Sequence, residues 1–152
     1  MDVVLRTHLT NPTLAWRDLE RREEHDADIP AGWQGTLVLR SGAFTAELPF
    51  HFDDLVLGAF LRELDTMDRR LLGAATLSTP NEDPYVRLVV SPTGQVNVRG
   101  LLVDVRDPWQ RLEFDFDTDQ TVLRPLADDF LAVWAALGRS GPADAWRGAV
   151  LG

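Results

Sequence analysis

Cysteine is absent from the 152 residues, and so is lysine. Without thiols the chain can form neither a disulfide nor a thiolate metal site, so any zinc would have to rely on histidine and carboxylates. The three histidines, His8, His25 and His51, are scattered, with no pair four apart and no HExxH arrangement. No metal site and no cofactor are therefore expected. Basic residues are few, 15 against 24 acidic ones, for a net charge of −9. Phosphate binding relies on a basic surface, so nucleic acid is not an expected partner. No apolar run approaches the ~20 residues of a membrane span. The opening MDVVLRTHLT lacks the charged-then-apolar layout of a secretion signal, so a cytoplasmic protein without membrane contact is expected. Neither a GxSxG elbow nor a GxxxxGK[ST] loop occurs, so no residue is assigned a catalytic role and the protein is read as a non-enzyme.

What is present is the composition of an ordinary globular chain, 45% hydrophobic and 26% charged. Its length suits a single domain over residues 1–152. The clearest stretch runs from Gly94 to Leu137. Within it Leu112–Asp117 alternates strictly, Leu112, Phe114 and Phe116 against Glu113, Asp115 and Asp117. A period of two marks an antiparallel strand with one buried face.

The remaining elements follow from similar signals. Residues Asp2–Leu9 read as a strand with Val3, Leu5 and Leu9 inward. The segment 10–33 is read as an irregular insertion, polar through RDLERREEHDAD. Gly35–Arg40 and Ala43–Phe52 form a hairpin about Ser41-Gly42. Phe44, Ala46, Leu48, Phe50 and Phe52 share a face of its second strand, and Pro49 predicts that this strand is an edge or carries a bulge. Asp53 is the expected N-cap of a helix whose apolar spacing includes Leu55, Val56, Ala59, Phe60, Leu64, Met67 and Leu71, with Gly73 as its stop. Strands are then predicted at Ala74–Ser78, Tyr85–Ser91, Gln95–Val105 and Trp109–Asp117. The apolar phase changes after Gly100, to Leu101, Val103 and Val105, which predicts a β-bulge at that glycine. A closing helix is predicted from Thr121 to Gly138 with Pro125 in its first turn and Asp119 at its start. Residues 139–152 read as a loosely attached tail. No internal sequence repeat is found. The sum is an α+β architecture, an antiparallel sheet of about six or seven strands with two helices packed on one face.

The constellation that carries chemistry is the row Glu113, Asp115 and Asp117. Alternate residues on a strand lie ~6–7 Å apart, a spacing open to a solvated face, a protein-binding surface or a carboxylate pair acting on a small ligand. If the strands Tyr85–Ser91 and Gln95–Val105 flank this row, Arg87 and Arg99 are placed to pair with these acids. Trp109, at the start of the acidic strand, is the candidate interface aromatic.

The hairpin GQVNVRGLLVD (Gly94–Asp104), the strand LEFDFDTDQT (Leu112–Thr121) and the helix after it resemble WapI-type bacterial immunity proteins and related uncharacterised small bacterial proteins. FTAELPF (Phe44–Phe50) and the helical DDLVLGAFLRELDTMDRRLLG (Asp53–Gly73) extend the resemblance in the same order. It covers roughly two-thirds of the chain. The resemblance implies a protein that neutralises a cognate toxin, often a nuclease, and it carries over no catalytic residue. A basic protein toxin is thus the expected partner, with Arg87, Arg99, Trp109, Glu113, Asp115 and Asp117 as the candidate interface. The alternative is a small-ligand-binding or hydrolytic domain that uses the same carboxylates.

Overall fold

In the computed structural model, residues 1–7, 12–23, 30–79, 84–106 and 108–136 are described. Eight strands and two helices occur among them: β1 (Val3–Leu5), β2 (Thr13–Arg22), β3 (Gly32–Ser41), β4 (Phe44–Asp53), α1 (Asp54–Arg70), β5 (Ala74–Ser78), β6 (Tyr85–Val90), β7 (Gln95–Asp104), β8 (Gln110–Asp119) and α2 (Leu123–Ala135). The strands form two antiparallel four-stranded sheets in sequential order, β1-β2-β3-β4 and β5-β6-β7-β8. The class is α+β, but the single sheet of six or seven strands is corrected to two sheets of four. The chain leaves the first sheet through α1, so β5 opens a new sheet instead of extending the old one. The order of elements, four strands and then a helix, occurs twice without a repeat in the sequence. β4 and β8 are both ten residues long, and each ends on an aspartate, Asp53 and Asp119, that caps the helical segment behind it.

The segment read as an irregular insertion holds β2, which pairs with both β1 and β3. Its alternation is hidden by an irregularity between Arg17 and Glu20. There Asp18 takes φ 54°, and its N–H donates to the Asp2 carboxylate at 2.9 Å. Leu14 and Trp16 are buried before the break and Leu19 after it, so the inward phase slips by one residue. Opposite the break stands Gly35, where a Cβ would lie 2.6 Å from the Arg17 carbonyl oxygen. Arg21, beyond the break, is held by a bidentate pair with Asp54 at 2.6 and 2.8 Å and lies 5.7 Å from the centroid of the Trp33 ring.

β4 is an edge strand, as Pro49 requires. Asp53 caps α1 as expected, its carboxylate accepting from the Val56 N–H at 2.8 Å. The buried face of α1 is Leu57, Phe60, Leu61, Leu64 and Met67, whereas Leu55 is exposed. The helix stops on Leu71, left-handed at φ 50°, and Gly73 takes its positive φ only two residues later. Pro125 falls in the first turn of α2, as predicted. Asp119 caps not α2 itself but the 3₁₀ turn Gln120–Val122 that leads into it.

The predicted bulge at Gly100 does not occur. β7 keeps one register along its whole length with β8, from Gln95 opposite Asp119 to Asp104 opposite Gln110. The phase change arises because both faces of β7 turn apolar there: Gly100 and Leu102 face the core beside Val96 and Val98, while Leu101 is buried on the other face. The glycine is there for space. A Cβ would lie 2.5 Å from the Tyr85 carbonyl oxygen and 2.6 Å from the Phe114 ring.

One core cluster draws on both sheets and both helices. At its centre Phe130 of α2 meets Trp16, Phe52 and Phe60 edge-on, with centroids 5.1, 6.1 and 5.5 Å away. Arg124 of α2 joins the helices further, reaching Asp68 of α1 at 2.9 Å. None of the helices among the described residues is long and apolar enough to cross a membrane.

Candidate functional site

β8 is the outer strand of the second sheet, paired among the described residues with β7 alone. Its alternation works as the sequence predicts on one side: Glu113, Asp115 and Asp117 are exposed on the outer face. On the inner side the burial is uneven. Phe114 is buried, but Leu112 and Phe116 are only half-buried, because few of the described residues pack over the sheet at this margin.

The register puts Thr76, Arg87, Arg99 and Asp115 in one cross-strand line from β5 to β8. The expected ion pairs do not form in this line. Arg87 donates to the Thr76 hydroxyl at 3.1 Å, away from the acids. Arg99 donates through Nε to the Asn97 side-chain oxygen at 2.7 Å. That bond turns the Asn97 NH2 toward β8, where it donates to both the Asp115 and the Asp117 carboxylates, the latter at 3.0 Å. A neutral amide thus bridges two anions, and among the described residues no cation is paired with Glu113, Asp115 or Asp117. The outer face is basic in its middle, and its free margin is acidic from Glu113 to Asp117, beyond Arg111.

Trp109 is 56% exposed, as expected of an interface aromatic, with the Arg111 guanidinium 5.6 Å from its ring centroid. It stands six residues before Asp115, about 20 Å along an extended strand. Trp109 and the distal acids therefore do not converge on one small site.

What links them is a groove between the β4 edge and the β7–β8 hairpin. It consists of three adjoining cavities. One of about 430 Å³ lies between Pro49, His51, Val105 and Trp109. A second of about 350 Å³ is walled by Phe44, Leu48, Leu102 and Leu112. The third, about 400 Å³, reaches Phe44, Glu113 and Asp115. Phe44 and Val105, both read as inward positions, are 66% and 78% exposed on its rim. The inward face of β4 is real but outruns its cover, so burial falls away from Phe52 and Phe50 toward Phe44. Apolar residues close to turn residues at strand ends were the available signal for this rim. Within the groove the His51 imidazole is held below its ordinary pKa of 6.5, first by burial and then by the charge of Arg22.

No protein-family model, curated protein or solved structure matches this chain. Its own geometry must carry the functional reading. Among the described residues, no group of three or more histidines and carboxylates is placed to hold a metal ion; His8 and His25 lie outside them.

Proposed function

We propose that the protein is a non-enzymatic, cytoplasmic binding protein of the immunity type, which neutralises a basic protein toxin by covering it. The observation that carries the reading is the acidic margin, which has no cation paired with it among the described residues. Three exposed carboxylates stand in a row on an outer strand, and Arg99 of β7 and Arg87 of β6, in line with Asp115, are turned to Asn97 and Thr76. Repulsion among like charges falls when a cationic surface meets them, and complementary charge also speeds encounter and suppresses wrong partners. The apolar groove beside the row supplies the desolvated contact that charge alone does not. The resemblance of Phe44–Phe50, Asp53–Gly73 and Gly94–Leu137 to immunity proteins supports the same reading.

The test is co-expression with any candidate toxic domain encoded beside this chain's gene. Growth should be protected by the wild-type protein and lost with Glu113→Gln, Asp115→Asn and Asp117→Asn combined. Asparagine oxygens can still accept from Asn97, so the triple variant should melt with the wild type. Full protection by a well-folded triple variant would remove the row from the mechanism.

A further inference from the structure

The groove and the free margin of β8 are two sides of the same strand. β8 contains no proline between Gln110 and Asp119, so every residue of its open edge can offer an N–H and a carbonyl to a further strand. β4, across the groove, is the poorer template because Pro49 interrupts its donors. From His51 to Phe44 the groove follows eight residues of β4, about 23 Å of extended chain. Three of the six large hydrophobic residues that the described chain exposes, Phe44, Val105 and Trp109, stand on its rim. Below the open edge lie the half-covered Leu112 and Phe116, and above it stands the carboxylate row.

We propose that an extended segment of the partner, with basic and apolar residues alternating, adds to β8 as a fifth strand of the second sheet. This deepens the immunity reading and rests on it. Side chains of an added strand alternate between the two faces. Those on the outer face would meet Glu113, Asp115 and Asp117, so arginine or lysine fits there. Those on the inner face would enter the groove over Leu112, Phe116 and Phe44, so aliphatic residues fit there. Main-chain hydrogen bonds supply affinity and the alternation supplies specificity. A second copy of this chain is a poor occupant, because pairing β8 with β8 sets the carboxylate rows beside one another, and like charges across a strand pair are destabilising.

The experiment uses the full chain and a labelled decapeptide of alternating arginine and valine, followed by fluorescence anisotropy. Three further probes share its composition: a block peptide with all arginines before all valines, and two peptides N-methylated on the arginines only or on the valines only. In an extended strand alternate residues point their N–H groups to opposite edges, so only one methylated set can block the ladder. The expected result is binding of the alternating peptide about tenfold or more tighter than the block peptide, lost with one methylated set and kept with the other. Equal binding of all four overturns strand addition and leaves the acidic-row reading standing. Failure of every peptide to bind at low salt overturns both. A dimer by sedimentation that the peptide dissociates would assign the edge to a second copy. Binding seen only after residues 137–152 are deleted would assign it to the chain's own tail. Either result overturns the proposal.

Discussion

Replacing Gly100 by alanine adds one carbon where two strands and a ring approach closely in the second sheet. Its φ lies outside the left-handed region, so the new residue is not strained by its backbone. The cost is steric. The added Cβ would sit 2.5 Å from the Tyr85 carbonyl oxygen and 2.6 Å from two carbons of the Phe114 ring, where ordinary carbon contacts are ~3.5–4.0 Å. The ring can tilt, although Phe116 is stacked on it with centroids 6.2 Å apart. The carbonyl belongs to the β6 ladder opposite Leu101 and can move only by bending the strand. Overpacking of this kind costs ~1–3 kcal/mol, or ~2–12 °C in Tm at ~2–4 °C per kcal/mol for a chain of this size. Gly42→Ala is the control. That glycine has φ 61° with nothing within 4 Å of a Cβ, so its cost of ~1–2 kcal/mol is backbone strain alone. Adding Phe114→Leu should partly restore a Gly100→Ala protein by making room on the ring side, and it should not restore Gly42→Ala. A Gly100→Ala protein that melts with the wild type would mean that the strands have room there that the structure denies them.

Phe130→Ala should cost ~3–5 kcal/mol in denaturant unfolding, because the ring is fully buried among Trp16, Phe52 and Phe60; a loss under ~1 kcal/mol would mean the cluster is not central. Asp53→Ala and Asp119→Ala should each cost ~0.5–2 kcal/mol by thermal melt with no partner present, since each carboxylate caps a helical start. No loss at either position would deny that cap. Burial holds the Glu63 carboxyl above its ordinary value of 4.5, against the opposing N–H of Thr76 and charges of Arg87 and Arg62. A raised folded-state pKa favours the fold below the ordinary value, and that contribution is lost as pH rises through the folded one. Glu63→Gln should therefore gain in Tm relative to wild type as pH goes from below 4.5 to neutrality. A difference that stays flat with pH would refute the shift.

The hairpin β3–β4, the boundaries of β5 and the caps at Asp53 and Asp119 were legible because each is a local event. Glycine at a turn, an aspartate before an apolar-periodic run and strict alternation all lie within a few residues of what they specify. β2 was not legible for a local reason as well. Asp18 resets the phase in mid-strand, and Arg21, one of two half-buried arginines on its later half, is satisfied by Asp54, 33 residues away. The division into two sheets could not be read either, since alternation is the same whether α1 returns the chain to the first sheet or starts a second. At the candidate site, the exposure of Glu113, Asp115, Asp117 and Trp109 followed from the pattern. Their partners did not, because Arg99 prefers the neighbouring amide of Asn97 to the carboxylates across the strand. The exposure of Phe44 and Val105 depends on how far one sheet extends over the other, which no strand records in its own sequence.

Phe130 also fixes an order of events during synthesis. Trp16, Phe50 and Phe52 leave the ribosome early, on strands that can pair with one another at once. The ring that closes over Trp16 and Phe52 sits in the last helix, after α1 and the whole second sheet. Until that helix arrives, a nascent chain carrying a finished first sheet presents an open aromatic surface. Chaperones that bind such surfaces should hold the chain until α2 has been made. Chains released before α2 should aggregate, while those released after it should not.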